Sequence, residues 1–116
     1  MAVTNEEFEA ANKRGREQRA KGLIVGARYD RERNRIILSL SLGYDIVIPP
    51  QAIQDTEFAK PEELEVVEIT PPGLAVHFPR IDGDIYLPGL LKGITGTKKW
   101  MKERRLRVPE EVAASV

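Results

Sequence analysis

The chain contains no cysteine. That excludes disulfide frameworks, thiolate nucleophiles, zinc fingers and iron–sulfur clusters together, and it suits a reducing compartment. Histidine occurs once, at His77, so a metal site would depend almost wholly on carboxylates. No apolar run exceeds four residues, far short of the roughly 20 needed to cross a bilayer. The opening Met1-Ala2-Val3-Thr4-Asn5-Glu6-Glu7 has no apolar stretch and does not read as a signal peptide. No serine sits in a Gly-x-Ser-x-Gly elbow. Gly89, Gly93 and Gly96 lack the spacing of a phosphate loop. The 18 basic and 18 acidic side chains cancel, so no global field draws the protein to nucleic acid or anionic membrane. Together these absences predict a cytoplasmic protein that is not an enzyme, with no catalytic residues, no metal, no cofactor and no membrane contact.

What is present describes one small domain. The 116 residues are 41% hydrophobic, which favours a packed core over disorder. Thr4-Asn5-Glu6-Glu7 forms a capping box, and Asn5 to Lys21 is polar and helix-favouring, with Phe8 its one large apolar residue. Leu23 to Asp30, Ile36 to Leu42 and Tyr44 to Ile48 alternate as strands, and Pro49-Pro50 stops the third. Asn34 tolerates the positive φ of the first turn. Gln51 to Phe58 reads as a short helix or an irregular segment. Pro61-Glu62-Glu63-Leu64 reads as a helical turn with proline at its start. Leu64 to Ile69 and Leu74 to Phe78 read as a hairpin about Thr70-Pro71-Pro72-Gly73, and Pro79 to Gly83 as loop. Pro88 opens a short helix that Gly93 ends, and Thr97 caps a last helix carrying Trp100 and Met101. The predicted class is α+β: an N-terminal helix, an antiparallel sheet of about five strands and short C-terminal helices. The predicted division is a helical arm over residues 1–22, the domain over 23–103 and a tail over 104–116.

Three groups of residues invite a functional reading. His77, Asp82 and Asp84 can be drawn as a metal or acid–base site, but Asp82-Gly83-Asp84 is ordinary turn chemistry that needs no ligand. Arg28, Arg31, Arg33 and Arg35 surround one hairpin, and Lys98, Lys99, Lys102, Arg104 and Arg105 crowd the last helix. If the two sets meet, they form a cationic patch suited to phosphate. The simpler expectation is a solvated face paired with the acidic middle of the chain, where seven acids between Asp45 and Glu68 face a single Lys60. Phe8, Arg14 and Arg16 form the third group. A specified but poorly anchored helix commonly docks on another chain.

The stretch from Ala27 to Met101 resembles a family of small bacterial proteins, domain of unknown function 2442. The resemblance rests on Ala27-Arg28-Tyr29-Asp30, Glu68-Ile69-Thr70-Pro71-Pro72-Gly73, His77-Phe78-Pro79-Arg80-Ile81-Asp82-Gly83-Asp84-Ile85 and Gly96-Thr97-Lys98-Lys99-Trp100-Met101. Phe78 stands where the family usually shows tryptophan, and Arg104 to Val116 lacks the glycine- and lysine-rich tail of longer members. The resemblance implies a protein-interaction module, antitoxin-like, whose partner is a small co-encoded protein. It carries over no catalytic residue. The alternative is a nucleic-acid-binding regulator using the basic hairpin and last helix. Self-association into a homo-oligomer is a further expectation.

Overall fold

A computed structural model of the chain describes residues 5–20 and 22–104, without the side chains at 5, 7, 8, 11, 15 and 18–20. Helix α1 spans Asn5–Ala20. Strands β1 (Ile24–Asp30), β2 (Arg35–Leu40) and β3 (Asp45–Ile48) form one antiparallel meander. Two single-turn 3-10 helices, Pro50–Ala52 and Gln54–Thr56, and the short helix α2 (Pro61–Leu64) lead to a second meander. This consists of β4 (Glu68–Thr70), β5 (Ala75–Phe78) and β6 (Gly83–Tyr86). Helices α3 (Leu87–Leu91) and α4 (Lys98–Glu103) follow.

The expected single sheet of about five strands is therefore corrected to two sheets of three. Two physical causes account for the difference. Pro49 and Pro50 end β3 and start a 3-10 turn, so the chain leaves the first sheet instead of extending it. The sixth strand lay hidden in Asp82-Gly83-Asp84, whose turn chemistry masks a four-residue strand. Only Asp82 is in the turn, with φ 49°, while Gly83 already pairs with Phe78. The expected strand from Leu64 also starts later, at Glu68. Pro61 opens α2, and the Glu63 carboxylate accepts the Lys60 amide at 2.8 Å, so Leu64 closes a helical turn.

Both sheets turn their apolar faces into one core. Ile24, Ile36, Leu38, Leu40 and Ile48 come from the first sheet, and Val76, Phe78 and Ile85 from the second. Ile53 and Leu64 from the crossover, and Leu87 from the start of α3, join the same core. The sheets also meet through the backbone: the Ile24 amide donates to the Gly73 carbonyl at 2.7 Å. Gly73 has φ 119°, and a Cβ there would lie 2.7 Å from the Ile24 carbonyl oxygen, so this junction requires glycine. Among the described residues, none of this core comes from α1.

The Thr4 side of the capping box, Lys21, Arg105 and the tail beyond it, and the Phe8 side chain lie outside the described residues. Phe78 is 0% exposed at the centre of the core. Phe78→Ala should cost about 3–5 kcal/mol, as deletion of a buried ring does, and lower the melting temperature in a calorimetric scan. An unchanged melting temperature would contradict the packing described.

Candidate functional site

The ladder of the second sheet places His77 opposite Asp84 on one side and Glu68 on the other. Side chains alternate along a strand, so these three face away from the core that Val76, Phe78 and Ile85 fill. His77 Nδ1 lies 2.9 Å from Asp84 Oδ1, and its Nε2 lies 3.8 Å from Asp82 Oδ1. The hydrogen bond with Asp84 raises the His77 pKa above the ordinary histidine value, and the charges of Asp84, Asp82 and Glu68 act in the same direction against partial desolvation. The structure thus brings together the three residues that sequence could only align. The Asp82 side chain is 97% exposed and that of Asp84 59%, so the cluster lies open to water. Among the described residues, no group of three His, Cys, Asp or Glu side chains could hold a metal ion. What the geometry provides is a protonatable clasp across the β5–β6 hairpin.

A second constellation joins the crossover to α4. The Thr97 hydroxyl accepts the Trp100 amide at 3.2 Å and caps the helix, as its sequence predicts. Trp100 and Met101 then turn inward, 8% and 1% exposed. The indole Nε1 donates to the Glu57 carboxylate, which also pairs with the Arg104 guanidinium. That guanidinium lies 5.4 Å from the centre of the Trp100 ring. Three residues before Glu57, the Gln54 side-chain oxygen accepts the Thr97 amide at 2.7 Å, and the Gln54 amide donates to the Thr95 carbonyl. The chain passes close here because Gly96 has no side chain; a Cβ would lie 2.6 Å from the Trp100 ring. Sequence reasoning missed Glu57 and Gln54. Nothing separates Glu57 from its six acidic neighbours in the chain until α4 is placed beside it.

A protein-family model described as "Protein of unknown function (DUF2442)" matches residues 24–96. The chain belongs to the DUF2442 family. Two solved structures agree with that membership. One is a protein of unknown function from Rhodospirillum rubrum ATCC 11170, at 41% identity and a TM-score of 0.65, covering 69% of this chain and 96% of that one. The other is the uncharacterised protein CV0863 from Chromobacterium violaceum, at 36% identity and a TM-score of 0.70, covering 93% and 100%. No curated protein matches. The DUF2442 match takes in both sheets and His77 but stops before Trp100 and Arg104 and begins after α1.

Within this DUF2442 domain the basic residues have specific neighbours. Arg31 pairs with Glu65 at 2.6 Å, linking the first hairpin to the end of α2. Arg33 pairs with Asp30 at 3.0 Å and donates its amide to the same carboxylate, which holds Asp30 below the usual range. Arg35 donates to the carbonyls of Arg33 and Asn34, and the Tyr29 hydroxyl donates to Asn34 at 2.6 Å. Arg28 is exposed on the outer face of the first sheet, and Lys99 and Lys102 are exposed on α4. Lys98 is half-buried at the start of α4, and Arg105 lies outside the described residues. Arg14 and Arg16 are exposed on α1. Among the described residues, no helix is long and apolar enough to cross a membrane.

Two measurements check these sites. His77 should titrate above the ordinary histidine value of about 6.5 when its imidazole signals are followed by NMR, and Asp84→Asn should bring it back toward that value. A folded pKa above the unfolded one means the clasp contributes stability below about pH 6.5. That contribution is lost as pH rises through the folded pKa, so melting temperature should fall across that window in the native chain and less in Asp84→Asn. Glu57→Ala leaves the buried indole N–H without its acceptor and Arg104 without its partner. A loss of about 1–3 kcal/mol is expected in denaturant unfolding, with red-shifted Trp100 fluorescence.

Proposed function

We propose that this protein is a non-enzymatic interaction module that covers a partner with the outer face of its first sheet, antitoxin-like toward a small co-encoded protein. The observation that carries this reading is an apolar surface that the core does not use. Val25 is 63% exposed on β1 and Val47 56% on β3, and Val47 sits beside Ile37 in the ladder. Leu42 and Tyr44 are exposed at the β2–β3 turn, at the same end of the sheet as the start of β1. A monomer gains nothing from large apolar side chains in water, whereas a partner gains their burial. Helix α1 supports the same reading: every side chain of it that the structure describes is exposed. Nucleic acid fits less well as the partner. Phosphate would have to displace carboxylates already held by Arg31, Arg33 and Arg104.

The test is co-expression with the neighbouring small reading frame. Native chain should co-purify with it at a fixed stoichiometry. The double change Val25→Glu and Val47→Glu should abolish the complex while stability moves by no more than roughly 0.5 kcal/mol per site, as for exposed positions. Deleting residues 1–21 should leave a cooperative melt and a weaker complex. A complex that survives the double change would place the partner elsewhere and overturn this reading.

A further inference from the structure

Among the described residues, the exposed large apolar side chains fall into two groups. Val25, Leu42, Tyr44 and Val47 belong to the first sheet and its β2–β3 turn, the face assigned above to a partner protein. Phe58, Tyr86 and Leu91 lie elsewhere, on the crossover, on β6 and on α3. Phe58 is 88% exposed, yet its mounting is firm. Thr56 just before it is buried, with its hydroxyl on the Pro50 carbonyl. Glu57 is held by Trp100 and Arg104, and the Ala59 amide donates to the Thr56 carbonyl at 3.2 Å. The ring is a knob standing in water on a bonded segment, ordered in advance for a contact its own chain does not make.

A hole lies beside the knob. A cavity of about 390 Å³ opens along the edge of β6, with an apolar wall of Ile53, Ile85 and Leu90. An apolar cavity of roughly 150 Å³ already accepts a benzene ring. Asp55 lines the cavity and is exposed. Residues three apart in a 3-10 run lie one above the other. Bonds of that spacing run from Ile53 to Ala59, so Phe58 stands one turn past Asp55, next to the hole. The edge of β6 itself is closed to an added strand, because Asp55 Oδ2 accepts the Asp84 amide at 3.0 Å.

A knob and a hole on one surface are self-complementary about a two-fold axis, which lets each copy give its ring and receive the other's. Charge agrees with that arrangement. Lys60 is exposed two residues beyond the knob, and Asp55 is exposed at the hole, so facing copies bring opposite charges together. The area is also sufficient. Phe58 and Tyr86 of two copies offer roughly 450–700 Å² of aromatic surface. Leu91 and the cavity wall bring the contact toward the roughly 1,000 Å² that a biological interface needs. We infer that this chain forms a two-fold dimer in which Phe58 of each copy fills the β6 cavity of the other. The first sheet stays open in that dimer, so the inference does not depend on the partner proposed above.

Sedimentation equilibrium of the full chain should show a monomer–dimer equilibrium. Phe58→Ala should weaken it about thirtyfold, as at an interface hot spot. Its melting temperature at monomeric concentration should not change, because the ring touches little of its own chain. Gly89→Leu tests the hole. A Cβ at Gly89 meets Tyr86 and Ile94, both in the cavity lining, at ordinary contact distances of 3.6 and 3.8 Å. The added side chain should occupy the cavity and weaken the dimer likewise. The double change Val25→Glu and Val47→Glu should leave the dimer as it is. In a mixture of isotope-labelled and unlabelled chains, intermolecular NOEs should join the Phe58 ring to the methyl groups of Ile85 and Leu90. The inference is overturned by a chain that stays monomeric at NMR concentrations, by a dimer that Phe58→Ala leaves intact or the first-sheet change breaks, or by intermolecular NOEs that omit Phe58.

Discussion

The crossover from Pro50 to Leu64 holds the domain together, because both sheets pack on it and β6 and α4 are hydrogen-bonded to it. Its apolar side chains, Ile53 and Leu64, lie in the core between the two sheets. Its polar ones reach outward in sequence. Thr56 donates its hydroxyl to the Pro50 carbonyl at 2.7 Å and closes the 3-10 pair on itself. Gln54 holds the start of α4, Asp55 closes the edge of β6, and Glu57 takes the indole and the guanidinium of α4. Two small meanders of three strands each bury little alone, and a short helix such as α4 is marginal in water. A shared core stitched by one bonded segment gives all of them a common stability.

The zero net charge has a matching structural meaning. Two acids in the acidic middle of the chain pair with basic residues on either side of it. Glu65 meets Arg31, and Glu57 meets Arg104. The exposed pairs contribute little each. The Glu57 carboxylate is different, since its side chain is 5% exposed and it carries two donors. Removing either donor would leave charge or hydrogen-bonding capacity stranded away from water.

The two sheets differ in what their outer faces present. The first sheet offers apolar side chains on its open face, which suits a large complementary surface. The second presents the His77 imidazole beside the carboxylates of Asp84 and Asp82, with Glu68 opposite in the ladder.

Periodicity and punctuation carried much of the fold. Alternation over Ile36 to Leu42 marked a buried strand. Pro61, Pro88 and Thr97 stood at helix starts for reasons that operate within a few residues, the fixed φ of proline and a hydroxyl within reach of an amide. His77, Asp82 and Asp84 could be named as a group because two adjacent strands and one tight turn keep near sequence near in space. The sequence by itself determined these local matters, together with an α+β class and a chain without thiols. Only the tertiary structure decided that the strands divide into two sheets, that β6 exists beneath a turn motif, and that Glu57 and Gln54 clamp a helix 43 residues away. Such contacts depend on where a flexible crossover comes to rest. No local preference encodes that position, because it is set by the burial of Ile53 and Leu64 against two sheets built from separate stretches of the chain.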